Sequence, residues 1–406
     1  MLSIPKNKLI KIIVIVGLIG CLGIILLRFR VFRETNIKVW EYTRTSVNSF
    51  IIDYNDQFIF QKPEAFKFIN NYFEASDYNS QGVLFVASGI KYGDGLVKKS
   101  EDNGETWEVI YKFDAPPLTV DICYVNSKDY ILVGGKNGTL YRSTDNGSTF
   151  AKVLEPHPIN RYPNQAWRMR EDPDGNLYLG MHKNPPEVWK SNDNGLTWKA
   201  IGNEKDFGTT ISRGGNDING LEVNPYNGWV YVAADTGRGK AGIYRSKDGG
   251  KSWVHIVNEH EYRLGIVAYD ENTIFLSSEN LENNKIGYIK DTGEDKLFKV
   301  NTAYIEPFKG RPFMWGRVIN IDGNKEIWFG SCSTGARRGA STSTIIRSID
   351  GGINWSILAL KTNTVFMSFR NATFHPDRMN SLFVSSRDKS LRVNLNLLKQ
   401  PKLHSY

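Results

Sequence analysis

The sequence predicts an all-β chain folded as a closed array of repeated units, a β-propeller of seven blades, behind one apolar N-terminal helix. Three observations predict this. One eight-residue turn sentence recurs five times, its aspartates return at intervals in the forties and fifties, and a short apolar strand precedes each copy. A period of that length with several short strands per unit points to a propeller or another repeat array.

The copies begin at Ser100, Ser143, Ser191, Ser246 and Ser348, and each reads Ser-x-Asp-x-Gly-x-Thr/Ser/Asn-aromatic. Their aspartates are Asp102, Asp145, Asp193, Asp248 and Asp350, spaced 43, 48, 55 and 102 residues apart. The last interval is about two periods, and a worn copy around Asp291 and Gly293 fills it. Short apolar strands on both sides make each copy a hairpin turn. The Asp carboxylate can accept from the backbone N–H groups of its own turn. The Gly supplies positive φ, and the closing aromatic wedges against its blade.

On these residues the pattern resembles the Asp-box (BNR) repeat of sialidase-like propellers, over roughly residues 40–395. The resemblance implies that the turns mark one face of a ring. The box aspartates would then be structural, and any ligand would lie on the opposite face, over the central channel.

Composition narrows the alternatives. The chain has 406 residues and a formal charge of +8, but residues 1–33 carry six cations and no acid, which leaves +2 on the rest. A nearly neutral domain without a Lys/Arg block offers no nucleic-acid footprint. Cys21, Cys123 and Cys332 fall far apart, so no disulfide is expected. No Cys/His spacing suits a metal, and no cofactor motif is present. The Asp-Asn-Gly clusters lack the spacing and terminal Glu of an EF-hand.

Residues 9–27 are apolar but for Lys11. Nineteen residues at helical rise are about the thickness of a bilayer core. They read as a signal anchor; a lipoprotein signal cut before Cys21 is the alternative. Cations flank the run equally, so charge does not orient it, but the resemblance implies an extracytoplasmic domain. The expected division is a membrane segment at 1–33, a propeller at 34–400 and a tail at 401–406.

From Gly82 onward each unit reads as four strands, with the turn sentence between the third and fourth. Seven second strands are legible. The last unit, 371–395, has three strands and no turn sentence. Seven blades are favoured over six because a fourth strand from the N-terminal side, Lys38–Tyr42, closes that last blade and hides its edge. Residues 43–80 are less regular, with two more strands or a short helix over Pro63–Phe73.

Four innermost strands begin on an arginine: Arg168, Arg263, Arg317 and Arg370, with Trp167, Tyr262 and Trp315 as neighbours. Converging guanidiniums suit a carboxylate, sulfate or phosphate, and the tryptophans could stack on sugar faces. Carboxylates expected on the same face are Asp121, Asp217, Asp235, Glu261, Glu279 and Glu306, with Tyr92, Tyr162 and Tyr262. Glycoside hydrolysis uses paired carboxylates, or a tyrosine nucleophile in sialidases. Asp217, Glu261 and Tyr262 are the catalytic candidates, although Glu261 and Tyr262 point apart if that run is extended. The Phe/Tyr-Arg-Ile-Pro motif that supplies the first sialidase arginine is absent here; Arg161-Tyr-Pro163 is its nearest echo. The expected role is a membrane-tethered propeller that recognises a glycan or other anionic ligand. A glycosidase and a protein-binding scaffold are the alternatives, the latter similar to propellers that help build photosystem II or to sortilin-type receptors.

Overall fold

In a computed structural model, the described residues are 49–50, 66–69, 73–89, 94–114, 120–135, 138–156, 165–182, 186–208, 216–236, 240–278, 284–305, 312–321, 323–331, 342–362, 369–376, 381–386 and 390–397. They form seven antiparallel sheets. Blade 1 holds β3 (Ala75–Tyr78), β4 (Leu84–Ala87), β5 (Leu96–Ser100) and β6 (Glu108–Lys112). Blades 2 to 5 repeat this order as β7–β10 (residues 120–154), β11–β14 (165–202), β15–β18 (216–257) and β19–β22 (266–305). Blade 6 holds β23 (Phe313–Ile321), β24 (Asn324–Ser331), β25 (Thr342–Ser348) and β26 (Ser356–Thr362). Blade 7 holds β27 (Phe369–Phe374), β28 (Ser381–Ser386) and β29 (Ser390–Asn394).

Seven blades and the borrowed closing strand are as expected, but the donor differs. β2 (Phe66–Ile69) pairs with β29, Phe68 standing opposite Leu391, and completes blade 7. Lys38–Tyr42 lies outside the described residues. Of the two alternatives for residues 43–80, two more strands or a short helix over Pro63–Phe73, the described residues 66–69 take the strand. A further short strand, β1 (Ser49–Phe50), adds to the outer edge of blade 6 beside β26. The apolar run 9–27 is outside the described residues; among those described, no helix is long and apolar enough to cross a membrane.

The turn sentence works through its hydroxyls. Ser143 Oγ donates to Asp145 Oδ1 at 2.7 Å and accepts from Gly147 N at 2.9 Å. The Thr149 N–H and hydroxyl then donate to the two Asp145 oxygens at 2.9 and 2.5 Å. The other four copies repeat the Ser–Asp and Gly–Ser bonds. Two successive left-handed residues are needed, at φ 58° and 87° for Asn146 and Gly147. That is why Asn or Gly always precedes the Gly.

The Thr149 hydroxyl and N–H, then Ser143, hold the Asp145 carboxyl down to about 2. Asp102 and Asp248 are also near 2, their hydrogen bonds outweighing a desolvation that acts the other way. The unfolded value is about 3.9, so each group stabilises the fold above that pH and loses its contribution as pH falls toward 2. The urea midpoint is therefore expected to drop between pH 4 and 2, and Asp145→Asn should flatten that slope. Equal slopes for variant and parent would show the turns are not responsible.

Between blades, third-strand cations reach forward. Arg142 Nε donates to Asn194 O in the turn of blade 3 at 2.8 Å. Arg392 of blade 7 donates to Asn103 O at 3.1 Å and pairs with Glu105 at 2.6 Å, gripping the turn of blade 1. Arg245 of blade 4 is fully buried and pairs with Asp291 of the worn turn in blade 5 at 2.5 Å. That turn has lost its Ser, and its Asp accepts from Arg245 and from the Tyr231 hydroxyl.

Candidate functional site

Hairpin connectivity puts the turn sentences on one face of the ring and the second-to-third-strand loops and blade-to-blade connections on the other, the mouth face. Many mouth-face loops lie outside the described residues, including Tyr92, Tyr162, Glu279 and Glu306. The innermost strands are described in backbone and in most of their side chains, those of Asp121, Asn216 and residues 369–371 excepted.

Register aligns the seven innermost strands. At one level each sets a residue opposite a large apolar side chain of its second strand. Asp77 faces Phe85, Tyr124 faces Leu132, Arg170 faces Tyr178 and Glu222 faces Tyr231. Val267 faces Phe275, Arg317 faces Trp328 and Thr373 faces Phe383. Opposed positions share a sheet face, so these seven stand at one level of their blades, the waist; Asp77, Tyr124, Arg170 and Arg317 line a cavity there, and Val267 packs in the core between blades 5 and 6. Two residues earlier, each innermost strand faces a small residue. Arg168 faces Gly180 and Trp315 faces Gly330, while Ile122 faces Gly134.

The waist is polar and internally paired. Arg170 Nε meets Glu222 Oε2 at 2.7 Å. Asp77 accepts from the Thr373 hydroxyl at 2.7 Å and from Val125 N at 3.0 Å. Two guanidiniums thus stand among two carboxylates. Burial pushes the Asp77 carboxyl up, and Thr373, Val125 N and Arg317 pull against it. Burial, then Arg170, lowers Arg317 to about 10, which leaves it cationic at neutral pH. Burial and Glu171 drive the Tyr124 phenol upward.

Above the waist the channel is plugged by apolar side chains. Trp167, Leu264, Met314 and Trp315 pack in one cluster, with the tryptophans 2% and 3% exposed. Trp167 Nε1 donates to Asn219 O at 3.2 Å. Arg168 stacks on Trp167 and crosses to donate to Met314 O at 2.8 Å. The cavity left beside Asp77, Tyr124, Arg168, Arg170, Trp315 and Arg317 is about 40 Å³. That admits a few waters and no sugar ring.

The sequence-derived arginines therefore divide. Arg168 and Arg317 line this cavity at two levels. Arg263 is elsewhere: its Nε meets Asp235 Oδ2 at 3.2 Å and its Nη1 reaches His260. Arg370 sits in β27 at the position skipped by the register shift between Phe369 and Asn371. Its side chain, and that of Asp121 in β7, lie outside the described residues.

The catalytic candidates divide too. Glu261 pairs with Lys285 at 3.2 Å. Tyr262 is 2% exposed in the core of blades 4 and 5, where burial raises its pKa. They do not face one site together. Asp217 stands directly opposite Asp235 across β15 and β16, at the mouth end of blade 4. His182 Nε2 is 3.5 Å from Asp217 Oδ2, and its ring is 4.6 Å from that of Trp167. Each carboxylate of this pair has its own cationic or titratable neighbour, His182 for Asp217 and Arg263 for Asp235.

The waist residues Asp77, Tyr124, Arg170 and Glu222 escape a reading of strand starts. Their signal is in the second strands, where a large apolar residue and a small one stand two or three apart, as in Tyr178 with Gly180 and Trp328 with Gly330. Among the described residues no cluster of His, Cys, Asp and Glu could hold a metal ion.

No protein-family model matches the chain. A xyloglucanase from Paenibacillus sp is 31% identical over 262 residues, covering 57% of this chain and 24% of that protein. The xyloglucanase Xgh74A of Acetivibrio thermocellus is 31% identical over 137 residues, 29% of this chain and 16% of that protein. The chain spans about a quarter or less of the length of these curated relatives. Among solved structures, YCF48 from Cyanidioschyzon merolae superposes with a TM-score of 0.52 at 17% identity, covering 82% of this chain and 99% of that one. The WD40 β-propeller domain of Doa1 gives 0.53 at 13%, covering 83% and 95%. These structural likenesses show the fold alone.

Proposed function

We propose that this chain is a glycan-recognising propeller, tethered to a membrane by residues 9–27 with the propeller on the extracytoplasmic side, and that its ligand lies across the mouth face over blades 3 to 5. The observation that carries the reading is the opposed pair Asp217 and Asp235, flanked by His182 and Arg263. Similarity to xyloglucanases supports a neutral polysaccharide ahead of a sialoside. Among the described residues, the plug and the paired waist leave a cavity of about 40 Å³ in the channel, too small for a sugar, which favours a chain lying across the mouth. Side-by-side carboxylates are also the equipment of glycoside hydrolysis, so Asp217 and Asp235 are the residues to credit if the bound glycan is cut.

Titrating the purified full chain with xyloglucan oligosaccharides, cello-oligosaccharides and sialyllactose, with reducing ends assayed in parallel, tests this. Binding of a glucan that weakens at least tenfold in Asp235→Asn is the expected result. Reducing ends that vanish in Asp217→Asn would add hydrolysis. Failure of the folded chain to bind any of these glycans would end the reading, and capture of a single protein by the same chain would favour a scaffold role.

A further inference from the structure

Three of the five turn sentences contain an Asn-Gly step: Asn103-Gly104, Asn146-Gly147 and Asn194-Gly195. Each Asn is left-handed, at φ 60°, 58° and 59°. The other two copies put Gly249 and Gly351 there, at φ 70° and 72°. An Asn-Gly step exposes the side-chain amide to attack by its own backbone, because Gly has no Cβ to shield the following nitrogen. In all three copies that nitrogen is guarded by the turn serine. Gly147 N–H donates to Ser143 Oγ at 2.9 Å, and the single proton of that hydroxyl goes to Asp145 Oδ1. A deprotonated Gly147 nitrogen would therefore face only lone pairs and a carboxylate.

The copies differ in how the Asn is held. Asn103 O accepts from Arg392 Nη1 at 3.1 Å, and Asn194 O accepts from Arg142 Nε at 2.8 Å. The Asn103 amide is held at both ends, by the Tyr78 hydroxyl and Ser381 Oγ, and Asn194 Oδ1 accepts from Lys128 Nζ at 3.0 Å. Asn146 is exposed, and among the described residues nothing bonds its side chain or its carbonyl. Blade 1 has Lys99 where its neighbours have arginine, and Lys99 pairs with Glu101 and Glu108 of its own blade, both at 3.1 Å. Of the other Asn-Gly steps, Asn219 is buried and Asn227 is bonded through both amide atoms, while Asn137 lies outside the described residues.

We infer that Asn146 is a modification site of the folded protein, where the chain deamidates, and that Ser143 sets the rate. Gly147 N gives its proton to hydroxide and bonds to Asn146 Cγ. The Cγ–Nδ2 bond breaks, and Nδ2 takes a proton from water and leaves as ammonia. A second water opens the cyclic imide at either carbonyl, giving aspartate or isoaspartate. Isoaspartate routes the main chain through the former side chain and lengthens it by a methylene. The turn has no slack for this: a Cβ on Gly147 would already stand 2.3 Å from Ile110 Cδ1 of blade 1.

Incubating the folded full chain at mildly alkaline pH, with peptide masses followed over time, tests the inference. The Asn146 peptide is expected to convert about tenfold faster than those of Asn103 and Asn194, a difference of about 1.4 kcal/mol in barrier. Ser143→Ala should speed conversion at Asn146 by about tenfold more, the worth of one hydrogen bond, and leave the other two sites unchanged. Asn146→Gly, which copies the turns of blades 4 and 6, should abolish the mass change and hold the urea midpoint constant while that of the parent falls. Equal conversion at the three sites, or none at Asn146, overturns the inference, and that measurement needs no variant to fold. An unaltered rate at Asn146 in a folded Ser143→Ala chain would remove Ser143 as the guard.

Discussion

Asp291→Ala is expected to cost about 3–5 kcal/mol, because it strands a guanidinium that has no solvent to turn to. Arg245 and Asp291 are both fully buried, and the Tyr231 hydroxyl donates to the same carboxylate at 2.9 Å. Asp295, the second partner of Arg245, is 58% exposed and offers only a screened contact. Removing the carboxylate therefore leaves a charge and a phenol without their inner acceptor. The double variant Arg245→Met with Asp291→Leu should recover most of the loss, since a well-packed apolar pair often equals a buried ion pair. Urea denaturation of the single and double variants measures both. A loss below about 1 kcal/mol in Asp291→Ala would mean that Asp295 or water replaces the missing partner.

Gly330→Ala should be nearly as damaging, at about 3 kcal/mol. A Cβ on Gly330 would stand 2.0 Å from Cζ2 and 2.2 Å from Cε2 of Trp315. Those are ring atoms of a buried side chain, held between blades and unable to slide a short way. The indole must leave the plug, and its burial is lost with it. Trp315→Leu in the Gly330→Ala background should restore stability in part, because the smaller side chain clears the new methyl. Red-shifted tryptophan emission in Gly330→Ala, absent from the double variant, would identify the displaced ring. An unchanged denaturation midpoint would show that the plug repacks freely.

Much of the architecture was legible in the sequence because it is local. Ser143, Asp145, Gly147 and Thr149 close their turn with bonds that span four residues or fewer. The same residues thus specify the same turn wherever they recur. Second strands such as 230–232 and 327–329 are apolar on both faces, which marks strands buried between neighbours. Asp217 was also legible, as a carboxylate at a strand start on the mouth face.

The site was less so. Arg168 and Arg263 look alike in sequence, each beginning an innermost strand beside an aromatic. One crosses the channel to Met314 O and the other meets Asp235. The difference arises from where each strand begins: Arg168 lies inside β11, just after a register shift that follows Ala166, whereas Arg263 precedes β19, which begins only at Ile266.

The sequence by itself determined the ring of turns, the seven-fold count and the need for a borrowed strand, since each depends on hydrogen bonds and apolar patterning within a few residues. Only the tertiary structure decided that Phe66–Ile69 is the strand borrowed, that Asp77, Arg170, Glu222 and Arg317 meet at the waist, and that Trp167 and Trp315 fill the channel. Those outcomes join residues as far apart in the chain as Phe66 and Val393, and they follow from how seven twisted sheets fit around one axis.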